Sequence, residues 1–232
     1  MTRSTLHPAF ILHSRPYSNT SLLLECFTAL KGRFPVIAKG AKSQRSETAG
    51  LLRPFSPLLI DWRGKGEVKT LTSCEAAAPA IALNKKSLFC GFYINELTMR
   101  LLERQDPHAR LFEFYSRSLN KLAETEAVEP VLRQYEKLLL SELGYGLILD
   151  QEAETGAPVD PEKQYRYDLE HGPVPTGSDA KPSISGRTLL ALEHEQPLSR
   201  EGRREARALM RRVLAHYLGD RPIKSRELFQ MQ

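Results

Sequence analysis

No run of apolar residues in this chain reaches the roughly 18 to 20 that a membrane-spanning helix needs, so no membrane span is expected. The opening "MTRSTLHPAF" lacks the apolar core of a secretion signal, and a cytoplasmic protein is the expectation. Cysteine is scarce: Cys26, Cys74 and Cys90 are far apart and form no CxxC pair. Their number and spacing exclude a disulfide framework and a thiolate metal site, and read as free thiols. The signatures of a nucleotide fold are missing too. There is no GxGxxG, no GxxxxGK[ST], no HExxH and no GxSxG. The six histidines show no ligand spacing. A protein that is not an enzyme, with no cofactor and no metal, is therefore expected; a hydrolase hidden in the long polar stretch after residue 150 stays as a minor alternative.

What the chain has is divided charge. Residues 31–73 hold nine Lys and Arg against three Asp and Glu, a net of +6, and residues 200–226 hold the same numbers. Residues 74–199 hold thirteen against twenty, a net of −7. Two cationic blocks around an acidic middle read either as solvated surface or as contacts for a polyanion.

The hydrophobic pattern changes once. "AFILHS", "SLLLECFTAL", "VIA", "LLIDW" and "VKTLTS" are rich in strand formers; "LKGRF" supplies a Gly-bearing turn after the second run, and "RGKGE" a two-glycine turn before the last. Five short strands in about 70 residues suit a small closed or partly open barrel. After residue 75 the period becomes helical. Phe89, Tyr93, Leu97 and Leu101 recur every four residues, as do Leu111, Tyr115 and Leu119. "EPVLRQYEKLLLSELGYG" predicts a helix with Leu132, Tyr135, Leu139 and Leu143 on its core face, stopping at Gly144. Residues 150–183 read as a long irregular insert. "SREGRREARALMRRVLAHYLG" predicts a last long helix, N-capped by Ser199 and ended by Gly219. The class is α+β, β first and then α, with a domain at 1–78 and a helical one at 79–232.

Single-stranded nucleic acid binds where a cationic groove follows phosphates and aromatic faces receive bases. Lys39, Lys42 and Arg45 follow the third strand, and Arg63, Lys65 and Lys69 lie in and after the last hairpin. Tyr17, Phe34, Phe55 and Trp62 are interleaved with them. Phe34 and Phe55 read as core, whereas Trp62, between Asp61 and Arg63 at a turn, reads as exposed. Arg203, Arg207 and Arg211 make a stripe on the last long helix. The stripe reads as a second DNA contact or as a solvated face whose repulsion Glu201 and Glu205 relieve.

Six segments, "FILHSRPYSNTSLLLECFT", "VIAKGAKS", "LLRPFSPLLIDWRGKGEVKTLTSCEA", "GFYINELTMRLL", "RQYEKLLLSELGYG" and "YLGDRPIKSRELF", stand in the order found in the RecO family of bacterial recombination mediators, which the chain resembles over nearly its whole length. The resemblance implies an N-terminal OB-fold and a C-terminal helical domain. It implies binding of single- and double-stranded DNA, annealing of complementary strands, work with RecR, and help in loading RecA on DNA coated by single-stranded-DNA-binding protein (SSB). It also implies docking of SSB's acidic, apolar C-terminal tail on the helical domain. That docking asks for a cation beside an apolar pocket. Arg133 is the first candidate and Lys121 the second, against the plainer reading that Arg133 pairs with Glu129 and Lys137 with Glu142. Some members carry a four-cysteine zinc site in the insert. Here the insert has no cysteine, and its packing is expected to come from Tyr165 and Tyr167. A monomer is expected, cytoplasmic and, from the DNA that the resemblance implies, nucleoid-associated. The alternative function is an OB-fold adaptor that binds protein without direct DNA contact.

Overall fold

The computed structural model describes residues 5–43, 48–177, 182–219 and 221–229. Packing groups residues 1–126 with 223–232 as one compact unit and residues 127–222 as another.

The first unit is built on a closed five-stranded barrel. Its strands are β1 (His7–Pro16), β2 (Leu22–Thr28), β3 (Gly32–Ala38), β4 (Leu58–Arg63) and β5 (Lys69–Ala76). They close in the order β1-β2-β3-β5-β4, with β3 and β5 parallel and the other pairs antiparallel. This is the OB arrangement. Ile11, Leu24, Cys26, Phe34, Val36 and Ile60 fill the barrel, each about 1% exposed or less. Burial pushes the Cys26 thiol far above its ordinary range and Cys74 up to about 11, so neither is a ready nucleophile at neutral pH.

β1 is buried on both faces along Ala9–Leu12. Two helices follow the barrel, α1 (Lys85–Leu101) and α2 (Ala109–Glu124); Ala9 and Ile11 face the barrel interior, and Phe10 instead meets Phe112 and Tyr115 of α2. The β1–β2 register slips between Ile11 and His13, which makes Leu12 the extra residue of a bulge. Its carbonyl, out of the ladder, accepts from Asn95 Nδ2 at 2.9 Å. Asn95 Oδ1 in turn accepts from the Tyr115 hydroxyl at 2.6 Å. The Tyr115 ring stands edge-on to Phe10 and Phe27 at 5.0 and 5.8 Å. Both helices therefore pack on the barrel, although their sequence pattern grouped them with the helical domain from residue 79. The spacing of Leu111, Tyr115, Leu119 and Leu122 marks the buried face of α2 correctly.

The α1–α2 link lies over the β2–β3 turn. Arg33 Nε donates to the Leu102 carbonyl at 2.8 Å, and Gln105 N donates to the Arg33 carbonyl at 2.9 Å. Glu25 receives Arg33 and Arg104 at 2.6 and 3.1 Å. Gly32 has φ +59°, and a β-carbon there would sit 1.9 Å from the Asp106 carbonyl oxygen, so only glycine allows this approach. The chain returns at its end as a short 3-10 helix, Lys224–Phe229, whose first N–H groups, on Lys224 and Ser225, donate to Glu96 of α1 at 2.9 and 2.7 Å.

The second unit holds α3 (Val128–Glu142), α4 (Gly186–Glu193) and α5 (Arg200–Leu218). Ser199 caps α5 by accepting from Gly202 N at 3.0 Å, and Gly219 ends it at φ +65°. The stretch read as irregular, 150–183, contains most of a three-stranded sheet: β6 (Gln164–Asp168), β7 (Gly172–Thr176) and, just beyond it, β8 (Ile184–Ser185), in the order β7-β6-β8. Pro173 and Pro175 disguised β7; as an edge strand it tolerates residues that cannot donate. Tyr165 and Tyr167 of β6 are buried, and the Tyr165 hydroxyl donates to Glu152 at 3.2 Å and accepts from Asp160 N at 2.8 Å.

Tyr115→Phe removes the only hydroxyl from the Asn95 bridge and leaves a buried amide oxygen short of its donor. Urea denaturation should show a loss of about 1–3 kcal/mol. An unchanged midpoint would mean that the bridge does not constrain the fold.

Candidate functional site

Strand pairing sets one row of side chains across the barrel wall. Arg15 pairs with Leu23, Leu23 with Ile37, Ile37 with Thr70 and Thr70 with Arg63. Paired residues share a side of the sheet, and the neighbours of these five, such as Leu24, Val36 and Trp62, belong to the barrel core. The row therefore faces outward. It spans four strand spacings, about 19 Å along the wall. Exposed arginines stand at its two ends, with half-buried Leu23, Ile37 and Thr70 between them.

Three loops border this row. The β1–β2 turn, residues 17–21, and the loop that leaves β3, residues 39–43, are neighbours because Leu22 pairs with Ala38. Two hydrogen bonds tie them: Lys42 N to the Thr20 carbonyl at 2.9 Å and Lys42 Nζ to the Ser18 carbonyl at 3.2 Å. The β4–β5 loop, residues 64–68, flanks β3, because Lys69 enters β5 beside Val36. Exposed Lys39, Lys42, Arg63 and Lys65 thus gather around one part of the wall, joined by Arg15, which the sequence did not single out. Lys69 belongs to the same cluster but bends back to donate to the Gly66 carbonyl at 2.7 Å. Arg45 lies outside the described residues. The lower part of the wall is covered by the Arg33–Glu25–Arg104 ion pairs, where a carboxylate offsets the cations.

Trp62 is not the exposed ring expected at a turn. It lies within β4, half-buried, with its ring 4.8 Å from Phe34 and 5.0 Å from His7. A bulge between Asp61 and Trp62 and the bond from Trp62 N to Asp61 Oδ1 at 2.8 Å hold it there.

A second feature lies wholly within the second unit. A groove of about 340 Å³ runs between α3, the end of α4 and the start of α5. Pro130, Leu192, Pro197 and Leu198 give it apolar walls, and Arg133, Lys137, Arg203 and Arg207 stand along it. Arg133 is mostly buried, with a side chain 15% exposed, and its Nη2 donates to the buried Glu136 at 2.8 Å. Among the described residues, its Nε and Nη1 have no hydrogen-bond partner. Buried guanidinium N–H groups in that state are expensive unless a ligand satisfies them. Glu129, considered as a partner for Arg133, instead pairs with Arg203 at 4.0 Å and with Arg207. Lys137 pairs with Glu193 at 3.8 Å, not Glu142, and donates to the last carbonyls of α4, those of Leu192 and Glu193. Glu205 does not relieve the stripe. It accepts from Ser185 and Thr188. The expected arginine stripe therefore divides: Arg203 and Arg207 line the groove, and Arg211 stands exposed one turn further on. Lys121 lies on α2 of the first unit and is not a lining residue. Among the described residues, no three His, Cys, Asp or Glu side chains are grouped to ligate a metal, and no helix is long and apolar enough to cross a membrane.

An OB barrel with one cationic end and a helical unit with a cation-lined apolar groove can be compared with known proteins as a pair. The family model described as Recombination protein O N terminal matches residues 1–80, and that described as Recombination protein O C terminal matches residues 85–227. The chain is 44% identical to the DNA repair protein RecO of Nitrosospira multiformis, over 98% of this chain and 96% of the relative. It is 48% identical to that of Methylococcus capsulatus, over 99% and 94%. Identity to the Haemophilus influenzae protein of the same name is 45%, over 98% and 96%. Two family models that together take in almost the whole chain, and relatives this similar from end to end, leave one conclusion: the chain belongs to the RecO family of DNA repair proteins.

Proposed function

We propose that the chain is a non-enzymatic mediator that grips DNA at the cationic end of the barrel, anneals complementary strands, and helps RecA replace SSB on single-stranded DNA in gap and break repair, together with RecR. The observation that carries this reading is the outward row from Arg15 to Arg63 with Lys39, Lys42 and Lys65 around it. Annealing needs no bond chemistry. Two strands repel, and a surface that neutralises phosphates on both lowers the barrier to their encounter. Lysines on mobile stems make a loose, salt-sensitive grip, which also permits release, and they act on single and double strands alike. Arg211 is a further candidate for a phosphate contact.

The groove of the second unit suits the acidic, apolar C-terminal tail of SSB. Apolar side chains of such a tail would lie against Pro130, Leu192, Pro197 and Leu198, and a carboxylate would meet Arg133 Nε and Nη1. Arg203 and Arg207 would receive further acidic residues, in competition with Glu129.

Three measurements test this reading. Replacing Lys39, Lys42 and Lys65 together by Ala should weaken single-strand binding and flatten the log–log salt dependence by about 2, at roughly 0.7 for each phosphate no longer neutralised. An unchanged slope would remove these loops from the site, and no mobility shift for the wild type at low salt would favour a protein-binding adaptor. Arg133→Ala should lower affinity for an SSB-tail peptide about tenfold or more, in line with the ~1.5–3 kcal/mol of a hydrogen bond to a charged group. Melting curves on the same samples separate loss of the site from loss of the fold, since Glu136 also loses its ion pair with Arg133. Glu129→Gln should tighten the same peptide a few-fold, by the ~0.2–1 kcal/mol of an exposed ion pair. Equal or weaker binding would show that Glu129 orders the two arginines rather than competing for them.

A further inference from the structure

The cationic loops account for attraction to any nucleic-acid backbone but not for a choice between single and double strands. That choice needs a group that touches base faces, which a duplex hides and a single strand offers. Trp62, the one tryptophan, has its ring packed on Phe34 and His7. Phe34 is 1% exposed and Phe55 6%. Tyr17 is different. It is 60% exposed and sits in the β1–β2 turn, two residues after Arg15 of the outward row. Its backbone is held: Tyr17 N donates to the Ser21 carbonyl at 3.0 Å, and the turn is tied to the β3 exit loop through both nitrogens of Lys42. The structure thus presents a large apolar ring to water on an ordered turn, beside Lys39, Lys42 and Arg15.

We propose that Tyr17 is the base-stacking platform of the barrel end and the residue that makes it prefer single-stranded to double-stranded DNA. This rests on the reading of the barrel end as the strand-binding surface. Phosphates of the strand lie along Lys39 and Lys42 of the loop after β3, and a base turned from the backbone covers the Tyr17 ring. The stack is indifferent to sequence, because every base has a face to offer. The backbone that carries the ring is already held, so stacking costs only the freedom of the side chain, and the contact adds to the loose electrostatic grip without needing a deep pocket.

The test compares wild type, Tyr17→Ala and Tyr17→Phe by fluorescence anisotropy with three labelled probes: a thymidine oligonucleotide, a duplex of the same length, and an abasic strand that keeps the sugar-phosphate backbone. Tyr17→Ala should weaken the thymidine strand on the order of tenfold. Its salt slope, its duplex affinity and its abasic-strand affinity should match the wild type, and Tyr17→Phe should retain binding. An equal loss on all three probes would show that the side chain only shapes the turn, and no loss on the thymidine strand would show that no base stacks there; either overturns the proposal. A wild type that binds none of the probes overturns the strand-binding reading itself, a result distinct from both.

Discussion

The first unit is organised around one carbonyl that its own barrel cannot satisfy. The bulge at Leu12 takes that group out of the β1–β2 ladder while Leu12 itself stays 2% exposed. A buried carbonyl without a donor costs about as much as a lost hydrogen bond. The Asn95 amide meets it, and Asn95 is committed in turn to the Tyr115 hydroxyl. One three-membered chain thereby fixes the position of α1 along β1 and of α2 beside α1. The link between those helices must then pass over the β2–β3 turn, where Arg33 and Glu25 receive it. That passage covers the lower wall of the barrel and leaves the upper row, Arg15 to Arg63, clear of the two helices among the described residues. The place of the cationic site follows from a bulge in β1, three residues before the row begins at Arg15.

Much of this was legible in the sequence because it is local. Runs of strand formers broken by turn residues marked five strands, and the four-residue spacing of Leu111, Tyr115 and Leu119 marked the buried face of α2. Ser199 and Gly219 act at the two ends of α5 as their chemistry dictates. What escaped is non-local. Nothing near Trp62 says that Phe34, 28 positions earlier, lies across the barrel from it; only the strand order brings them together. Nothing on α5 announces that its arginines pair with Glu129, on a helix 78 positions before Arg207, rather than with acids on their own helix. β7 was hidden for another reason, since its prolines argue for a loop unless the strand is known to be an edge. Leu12 looks like any strand residue, and its role appears only in the register.

The site residues divide along the same line. Lys39, Lys42 and Lys65 could be named from their positions after strands, because loops of a barrel are exposed by construction, and Arg63 from its place as the last residue of β4, at the turn. Arg15 could not, for it sits inside a strand, and its outward direction depends on the parity that the Leu12 bulge resets. An arginine inside a strand seen only as sequence is as readily an ion-pair partner, and Arg33 on β3 is one.

The two candidate surfaces differ in how their cations are held, and the difference matches two kinds of anion. At the barrel end the charges are spread on exposed stems around a shallow row. Such a surface gains from many repeated charges and has little to distinguish one from another, which is the character of a phosphate backbone. In the groove the guanidinium of Arg133 is mostly buried, is anchored through one nitrogen by Glu136, and is flanked by proline and leucine. There the low-dielectric surroundings strengthen one well-placed hydrogen-bonded pair, and the apolar walls reward a ligand that brings apolar side chains with its carboxylate. Phosphate backbone brings charge without that apolar surface, and a free carboxylate brings neither the bulk nor the shape. A peptide end brings both. Raising the salt would weaken the first surface far more than the second, because counterion release governs the one and burial the other. A protein with both could lose a strand while keeping a bound peptide, and that order of release is the one the proposed mediator role would use.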